Sequence, residues 1–460
     1  MKFSNSTWIK SLGAAVLLAF SVPDLSAQTD LGSPYSVFGP GMAVKRQSVT
    51  QFGMGGTGAA FGDAYRFNLV NPASAANLVE PVFQASGIGS LSTFSSDGGS
   101  FDNQRFFVNN LGMAYPIKRG VWNLNLGIVP LTEKNYDFTT VEQTEALGAY
   151  RAEYRGDGGI SQAYIGTAYK IYNKIDTANN VTSFSLGLQG NFNFGPINSL
   201  RRLTFPDDPR AMGISVRERF LVRSPSLEVG FQYQTNIIKR NTRSPRYLTF
   251  LAGGVYRFGA ALSAERSNYV YNFRPTPTGN ESPRDTIFSS ERASGTINMP
   301  AELIAGFGFD YVSNKRQRVR FGMDYSFRDW GEFSQSFDGE TSDLGFGAFQ
   351  RISAGVEFTP NTGGMKTLER IEYRMGFRAE RTGMVISGTE IEDYAVSVGL
   401  SVPVNFRRNL SRSRFSIGAE TGSFGTTENG LIRENYVRFM AGFSLTPHFR
   451  NRWFVKPKYD

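Results

Sequence analysis

The stretch Val319-Arg-Phe-Gly-Met-Asp-Tyr-Ser-Phe327 alternates apolar and polar side chains without a break. Successive side chains of a β-strand point to opposite faces, so this pattern predicts a strand with one apolar face. The same alternation occurs in Trp122–Ile128, Phe184–Phe194 and Tyr394–Val402. The polar faces carry mostly Gly, Ser, Asn, Asp and Arg, whereas a soluble sandwich would carry many Lys and Glu. A crowded, wet barrel lumen explains this composition better than bulk solvent does.

About fourteen segments of this kind follow one another, each near the length that a tilted membrane-spanning strand needs. They predict an all-β fold, a transmembrane antiparallel β-barrel of about fourteen strands over residues 82–446. The predicted strands lie near 82–95, 104–117, 121–133, 158–172, 181–195, 219–235, 246–264, 299–313, 317–330, 347–360, 369–382, 391–405, 413–424 and 434–446.

The connections between these segments alternate in length. The short connection 118–120 precedes the long segment 134–157, and the alternation continues to 331–346. Outer-membrane barrels have short periplasmic turns and long outer loops. The pattern therefore predicts a protein of the cell outer membrane with both termini in the periplasm. We expect the long segments, such as 196–218 and 265–298, to be solvated outer loops.

The N-terminus has the features of an export signal. Lys2 and Lys10 precede or flank the apolar run Leu12–Val22, and Leu25-Ser-Ala27 is a plausible cleavage site. The apolar run is too short for a membrane-spanning helix. We therefore expect a signal peptide over residues 1–27, and a periplasmic extension over residues 447–460.

A glycine-rich segment over residues 28–81 separates the signal from the first predicted strand. Its centre is Gln51-Phe-Gly-Met-Gly-Gly-Thr-Gly-Ala-Ala60, followed by Asn71-Pro-Ala73. Such backbone loses much entropy on folding, so it is expected to be ordered only where something encloses it. A disordered tail is the alternative, but Phe52, Phe61 and Phe67 make the segment too aromatic for one. The segment is predicted to be a plug, or hatch, inside the barrel, with a motif of Gly53, Gly55, Gly56, Asn71, Pro72 and Ala73.

The composition excludes most catalytic chemistry. The chain has no Cys and a single histidine, His448, so thiolate metal sites and Cys–His pairs cannot be built. A Ser–His pair would need His448, beyond the last predicted strand, to reach a Ser of the barrel. We expect no enzyme activity, no cofactor and no metal. The formal net charge is +9, which suits an anionic partner. For an exported chain we expect outer-membrane lipid and lipopolysaccharide rather than nucleic acid.

Alternation also places several charged residues on the lumen face of their strands. Arginine facing lipid at mid-depth would cost about 2–4 kcal/mol, so the inward assignment is preferred. Two interpretations are open: a ladder that holds the plug or steers a carboxylate, and a structural network of ion pairs. The predicted lumen charges are Arg320, Asp324, Arg328, Arg374, Arg378 and Glu380.

The chain resembles the long-chain fatty-acid transporter family of outer-membrane proteins. The resemblance is carried by Gly53–Ala60 with Asn71-Pro-Ala73, by Met299-Pro-Ala-Glu-Leu303, and by Tyr373-Arg-Met-Gly376. It implies a barrel of fourteen strands with an N-terminal plug, and diffusion of hydrophobic compounds through it. The start Ser33–Gly39 is similar to a Bacteroidota subgroup, whose members include non-transporting subunits of secretion and barrel-assembly machines.

Two functions follow from this resemblance. The first is a channel for passive transport of small hydrophobic molecules such as fatty acids, gated by the plug. The second is a non-catalytic barrel subunit of an outer-membrane protein assembly or secretion complex, with other outer-membrane or periplasmic proteins as partners. In the second case we expect docking through Arg450, Arg452, Trp453 and Phe454.

Overall fold

The computed structural model describes residues 32–144, 148–177, 180–208, 210–240, 246–275, 281–343, 345–404 and 412–447. These residues form a β-structure with very little helix. The strands are β1 (Met42–Ala43), β2 (Val82–Ser96), β3 (Gly99–Lys118), β4 (Trp122–Pro130), β5 (Thr132–Glu133), β6 (Tyr136–Thr144), β7 (Gly148–Gly158), β8 (Ser161–Ile175), β9 (Val181–Thr204), β10 (Gly213–Ile238), β11 (Tyr247–Arg257), β12 (Ala260–Pro275), β13 (Glu281–Met299), β14 (Glu302–Val312), β15 (Arg318–Asp329), β16 (Ser334–Phe337), β17 (Glu340–Ser342), β18 (Ala348–Thr359), β19 (Glu372–Ile386), β20 (Thr389–Pro403), β21 (Arg414–Phe424) and β22 (Arg433–Leu445).

Fourteen of these strands close into an antiparallel barrel. Its order is β2, β3, β4, β8, β9, β10, β11, β14, β15, β18, β19, β20, β21 and β22. The last strand closes on the first, with Phe83 opposite Leu445 and Ser95 opposite Arg433. Each of the fourteen strands predicted from the sequence overlaps one of these, so the predicted barrel is confirmed.

The outward faces of the barrel strands are apolar and exposed, whereas the inward faces are polar and buried. On β9, Leu186 and Leu188 are 43% and 48% exposed, while the alternate residues Ser185 and Gln189 are 2% and 3% exposed. This is the inverse of a soluble protein and suits a wall between lipid and a filled interior. None of the described helices is long and apolar enough to cross a membrane.

The long segments predicted to be outer loops are largely β-strands rather than irregular loops, which corrects their predicted conformation. The first half of β10, Gly213–Val222, extends beyond the barrel wall and pairs with β12 instead of β11, with Val222 opposite Ala264. The last part of β9, Ile197–Thr204, likewise extends beyond the wall and pairs with β7. These extending parts are called upper β9 and upper β10. The result is a second sheet, here called the outer sheet, in the order β6, β7, upper β9, upper β10, β12, β13, β16 and β17.

An apolar cluster explains why these Arg-rich and Pro-rich segments are ordered. Its buried members come from the barrel, the outer sheet and the segment after β15: Ile160, Ile197, Phe220, Val222, Leu262, Ala264, Ile297, Phe333 and Phe337. Burial of such side chains contributes about 1.5–3 kcal/mol each. We call the end of the barrel that carries the outer sheet the long-hairpin end, and the opposite end the short-turn end.

Residues 32–81, here called the N-terminal segment, lie against the inward faces of the barrel strands. The only α-helix among the described residues, α1 (Val49–Phe52), begins at Ser48 with a capping box closed by Gln51. A 3-10 turn over Pro72–Asn77 follows Asn71. The remaining 3-10 turns are Pro34–Val37, Trp330–Glu332, Thr367–Arg370 and Glu428–Gly430.

Candidate functional site

Inward-facing glycines on ten consecutive barrel strands, β9 to β22, contact the N-terminal segment. A Cβ atom added to Gly376 would lie 2.1 Å from the backbone N of Gly55, and one added to Gly253 would lie 2.1 Å from the carbonyl O of Ala59. At these two glycines backbone therefore meets backbone, whereas Gly308, Gly322 and Gly418 meet the rings of Phe61 and Phe52. These glycines are Gly187, Gly230, Gly253, Gly306, Gly308, Gly322, Gly355, Gly376, Gly399, Gly418 and Gly442.

The predicted glycine motif lies at the centre of this contact. Gly53 packs on Gly399, where a Cβ added to Gly53 would lie 3.0 Å from the Gly399 Cα. Gly55 and Gly56 have φ angles of +70° and +91°, which side chains with a Cβ rarely adopt. The tight turn after α1 therefore requires glycine at both positions.

Asn71 joins the N-terminal segment to itself and to the wall. Its Nδ2 donates to the carbonyl O of Ala59 at 2.7 Å and to that of Phe231 on β10 at 2.9 Å. Its Oδ1 accepts from the backbone N of Ala73 at 3.0 Å, which caps the turn that Pro72 begins. Asn71, Pro72 and Ala73 thus act as one fixed unit, and Ala73 lies directly on Gly187.

Three basic side chains of the N-terminal segment form ion pairs with wall carboxylates. Lys45 Nζ lies 2.7 Å from Asp393, and the guanidinium of Arg46 lies 2.5 Å from Glu228. Arg66 binds Glu372 at 2.5 Å. These pairs are buried, so removing one partner leaves a buried charge uncompensated.

Arg66 and Asp63 also pair with each other, at 2.6 Å. Burial opposes the charge on Asp63, but the positive charges of Arg66 and Arg320 outweigh it and hold the pKa of Asp63 below its usual value. Burial likewise opposes the charge on Arg66, and Asp63 and Glu372 together raise the pKa of Arg66. Both groups are therefore ionised at neutral pH.

All six predicted lumen charges are on the inward faces of their strands, and three of them contact the N-terminal segment. Asp324 accepts hydrogen bonds from the backbone N atoms of Gly58 and Ala59 at 2.7 and 2.8 Å. Arg320 donates to the carbonyl O of Gly62 at 2.9 Å. Glu380 lies 3.3 Å from Lys45.

The other three predicted charges pair with carboxylates of the wall. Arg328 lies 2.6 Å from Glu302, Arg374 lies 2.7 Å from Glu357, and Arg378 lies 2.6 Å from Glu420. Sequence analysis did not single out these carboxylates, nor Glu228 and Asp393. Their position on the polar face of alternating strands was the signal that could have found them.

A cavity of about 130 Å³ lies between the N-terminal segment and the wall. Its lining mixes apolar side chains with charged ones already engaged in pairs. The inward-facing lining residues include Val44, Arg46, Val70, Val129, Glu228 and Ile304. The predicted docking residues Arg450, Arg452, Trp453 and Phe454 lie outside the described residues, as does His448.

A family model described as BamG matches residues 8–460. The chain belongs to the BamG family. No curated protein matches this BamG-family chain. Two solved structures resemble it. A Pseudomonas aeruginosa FadL homologue is 13% identical with a TM-score of 0.56, covering 89% of this chain and 99% of that one. The Ralstonia pickettii toluene transporter TbuX is 12% identical with a TM-score of 0.50, covering 88% and 99%.

At these identities the likeness concerns the fold. This BamG-family chain shares its barrel fold with the FadL homologue and with TbuX. The fourteen-strand barrel implied by the sequence resemblance is therefore confirmed. The Bacteroidota subgroup stays a prediction.

Proposed function

We propose that this BamG-family protein is a non-catalytic β-barrel subunit of an outer-membrane protein assembly or secretion complex. It would lie in the cell outer membrane with both termini in the periplasm. Residues 1–27 would be the export signal, 28–81 a plug, 82–446 the barrel and 447–460 a periplasmic extension. The observation that carries the proposal is the way the N-terminal segment is fixed to the lumen.

Displacing the N-terminal segment would break many contacts at once. The ion pairs of Lys45, Arg46 and Arg66 would separate, which would leave the wall carboxylates Asp393, Glu228 and Glu372 without these partners. A plug held this firmly supports a closed barrel whose function is to bind other proteins.

Gentle extraction and affinity purification test this proposal. The full-length protein is expected to bring down another outer-membrane or periplasmic protein in a fixed ratio. Changing Arg450, Arg452, Trp453 and Phe454 to Ala should weaken that capture, whereas removing only residues 457–460 should not. A protein that purifies alone under every gentle condition would contradict the proposal.

Transport of small hydrophobic molecules, such as fatty acids, gated by the plug, is a second candidate. It is supported by the likeness of fold to hydrophobic-compound channels and by the partly apolar cavity beside Val44. Liposomes containing the protein should then take up a hydrophobic probe faster when residues 28–81 are deleted. If that deletion left the uptake of every hydrophobic probe unchanged, the gating hypothesis would fail.

A further inference from the structure

The outward face of β10 changes from apolar to basic where the barrel wall continues into the outer sheet. Leu227 and Phe231 are exposed on the outward face, and Pro225 follows them toward the long-hairpin end. The next outward positions include Arg223 and Arg219, because alternate residues of a strand share a face. Arg223 is two residues beyond Pro225, about 7 Å along the strand. The basic side chains thus begin at the edge of the lipid-facing surface.

A shallow cleft of about 270 Å³ lies at this place. It is formed by β10, β12 and β13, and Ser267 on β12 lies opposite Arg219. The backbone N of Arg292 donates to Ser267 Oγ at 3.3 Å, at an irregularity in the pairing of β12 with β13. The lining residues are Arg219, Leu221, Arg223, Glu265, Ser267 and Arg292.

The charge of this cleft is not balanced. Three guanidinium groups face one carboxylate, that of Glu265, which leaves a net charge of +2 on the six lining residues. Among the described residues, Arg219, Arg223 and Arg292 have no carboxylate within 4.0 Å, unlike the paired arginines of the lumen. A guanidinium presents parallel N–H donors that match the oxygens of a phosphate.

We propose that this cleft binds the phosphate groups of a phosphorylated glycolipid of the outer leaflet, a lipopolysaccharide of the lipid A type. Its acyl chains would lie along Leu227 and Phe231. The polar headgroup layer of a bilayer is about 5–7 Å thick on each side, which is comparable to the distance of about 7 Å from Pro225 to Arg223. A soluble protein is disfavoured because the cleft is continuous with the lipid-facing row. The inference rests on the proposed orientation, in which the long-hairpin end faces outward.

The test uses the full-length protein in nanodiscs, with native mass spectrometry to count bound lipid. The probes are bisphosphorylated lipid A, its dephosphorylated form, phosphatidylglycerol and inorganic phosphate. We expect the bisphosphorylated form to bind best. The triple variant R219A/R223A/R292A should bind it about tenfold more weakly, since each lost charge-assisted contact contributes a few-fold. The matched control is R151A/R155A/R381A, which removes the same charge from exposed arginines that have acidic neighbours.

Several outcomes would overturn the proposal. Equal losses in the triple variant and its control would mean that net charge alone attracts the lipid. If phosphatidylglycerol bound as well as bisphosphorylated lipid A, the assignment to a glycolipid would be wrong. If inorganic phosphate displaced lipid A completely, the assignment to a lipid would be wrong. The triple variant should still capture its partner protein in the purification described above. Failure of lipid binding and failure of the subunit proposal are thereby distinguished.

Discussion

Gly187 and Gly190 lie three residues apart on β9, so they face opposite sides of the wall. At Gly187 an added Cβ would lie 2.3 Å from the backbone N of Ala73, whereas at Gly190 its nearest neighbour would be the carbonyl O of Ile165 at 4.0 Å. Both residues are glycines, but only at Gly187 would a side chain collide with the N-terminal segment. The N-terminal segment can lie this close to β9 because the inward residue, Gly187, has no side chain.

This contrast predicts opposite effects of the same substitution. Gly187→Val should destabilise the folded barrel by about 1–3 kcal/mol, because backbone cannot move aside as a side chain can. Gly190→Val should be neutral or slightly stabilising, since β-branched residues suit strands. Heat-dependent unfolding on gels and limited proteolysis near Ala73 measure both effects. Equal behaviour of the two variants would contradict the close packing.

Glu372 is a second residue whose loss should affect several contacts at once. It pairs with Arg66 of the N-terminal segment and with Arg374 and Arg414 of the wall, the last at 3.0 Å. Glu372→Gln should cost about 3–5 kcal/mol of stability, because buried guanidinium groups lose their counter-charge. Urea unfolding of the reconstituted protein gives the value.

The matched comparison is the double variant Glu372→Gln/Arg66→Gln. Removing both charges should recover part of the loss, as a double-mutant cycle would show. Additive losses would mean that Glu372 and Arg66 are not coupled.

At the scale of elements, the barrel can close without the outer sheet, whereas the outer sheet is built on strands of the barrel. β11 pairs directly with β14, so the wall closes without β12 and β13. Ala260 and Met299 lie opposite each other where that hairpin leaves the wall. A short turn could join them in place of the hairpin.

Replacing residues 261–298 by Asn-Gly should therefore leave a closed barrel, since this dipeptide favours a tight hairpin turn. The melting temperature should fall, because Leu262, Ala264 and Ile297 leave the apolar cluster above the barrel. Circular dichroism and heat-modifiability on gels report the two effects. Removing β14 and β15 is the control and should abolish folding, because it opens the wall.

The same comparison explains what could be predicted from the sequence. Strict alternation identified all the barrel strands and put Arg320 and Asp324 on the lumen face. The outer sheet was missed because its apolar residues, such as Phe220 and Ile297, are interspersed with charges and prolines. The partner of each lumen charge was not predictable, because pairing depends on register and on the path of the N-terminal segment. Arg66 and Glu372, for example, are 306 positions apart.

For the whole molecule, the open question is whether function requires the N-terminal segment to move. The chain has no cysteine, so an introduced pair can be read without interference. Thr57 Oγ1 lies 3.3 Å from Ser353 Oγ on β18, and both residues are buried. Sulfur atoms at these positions would be close enough to form a disulfide with small adjustments.

Thr57→Cys/Ser353→Cys should therefore form a disulfide that ties the N-terminal segment to the wall. If the protein is a subunit with a fixed plug, capture of its partner should be the same whether the bridge is oxidised or reduced. If it is a channel gated by the plug, oxidation should abolish uptake of a hydrophobic probe and reductant should restore it. The single variant Thr57→Cys controls for the substitution itself. Because motion of the segment would break three buried ion pairs, we expect the bridge to leave function intact.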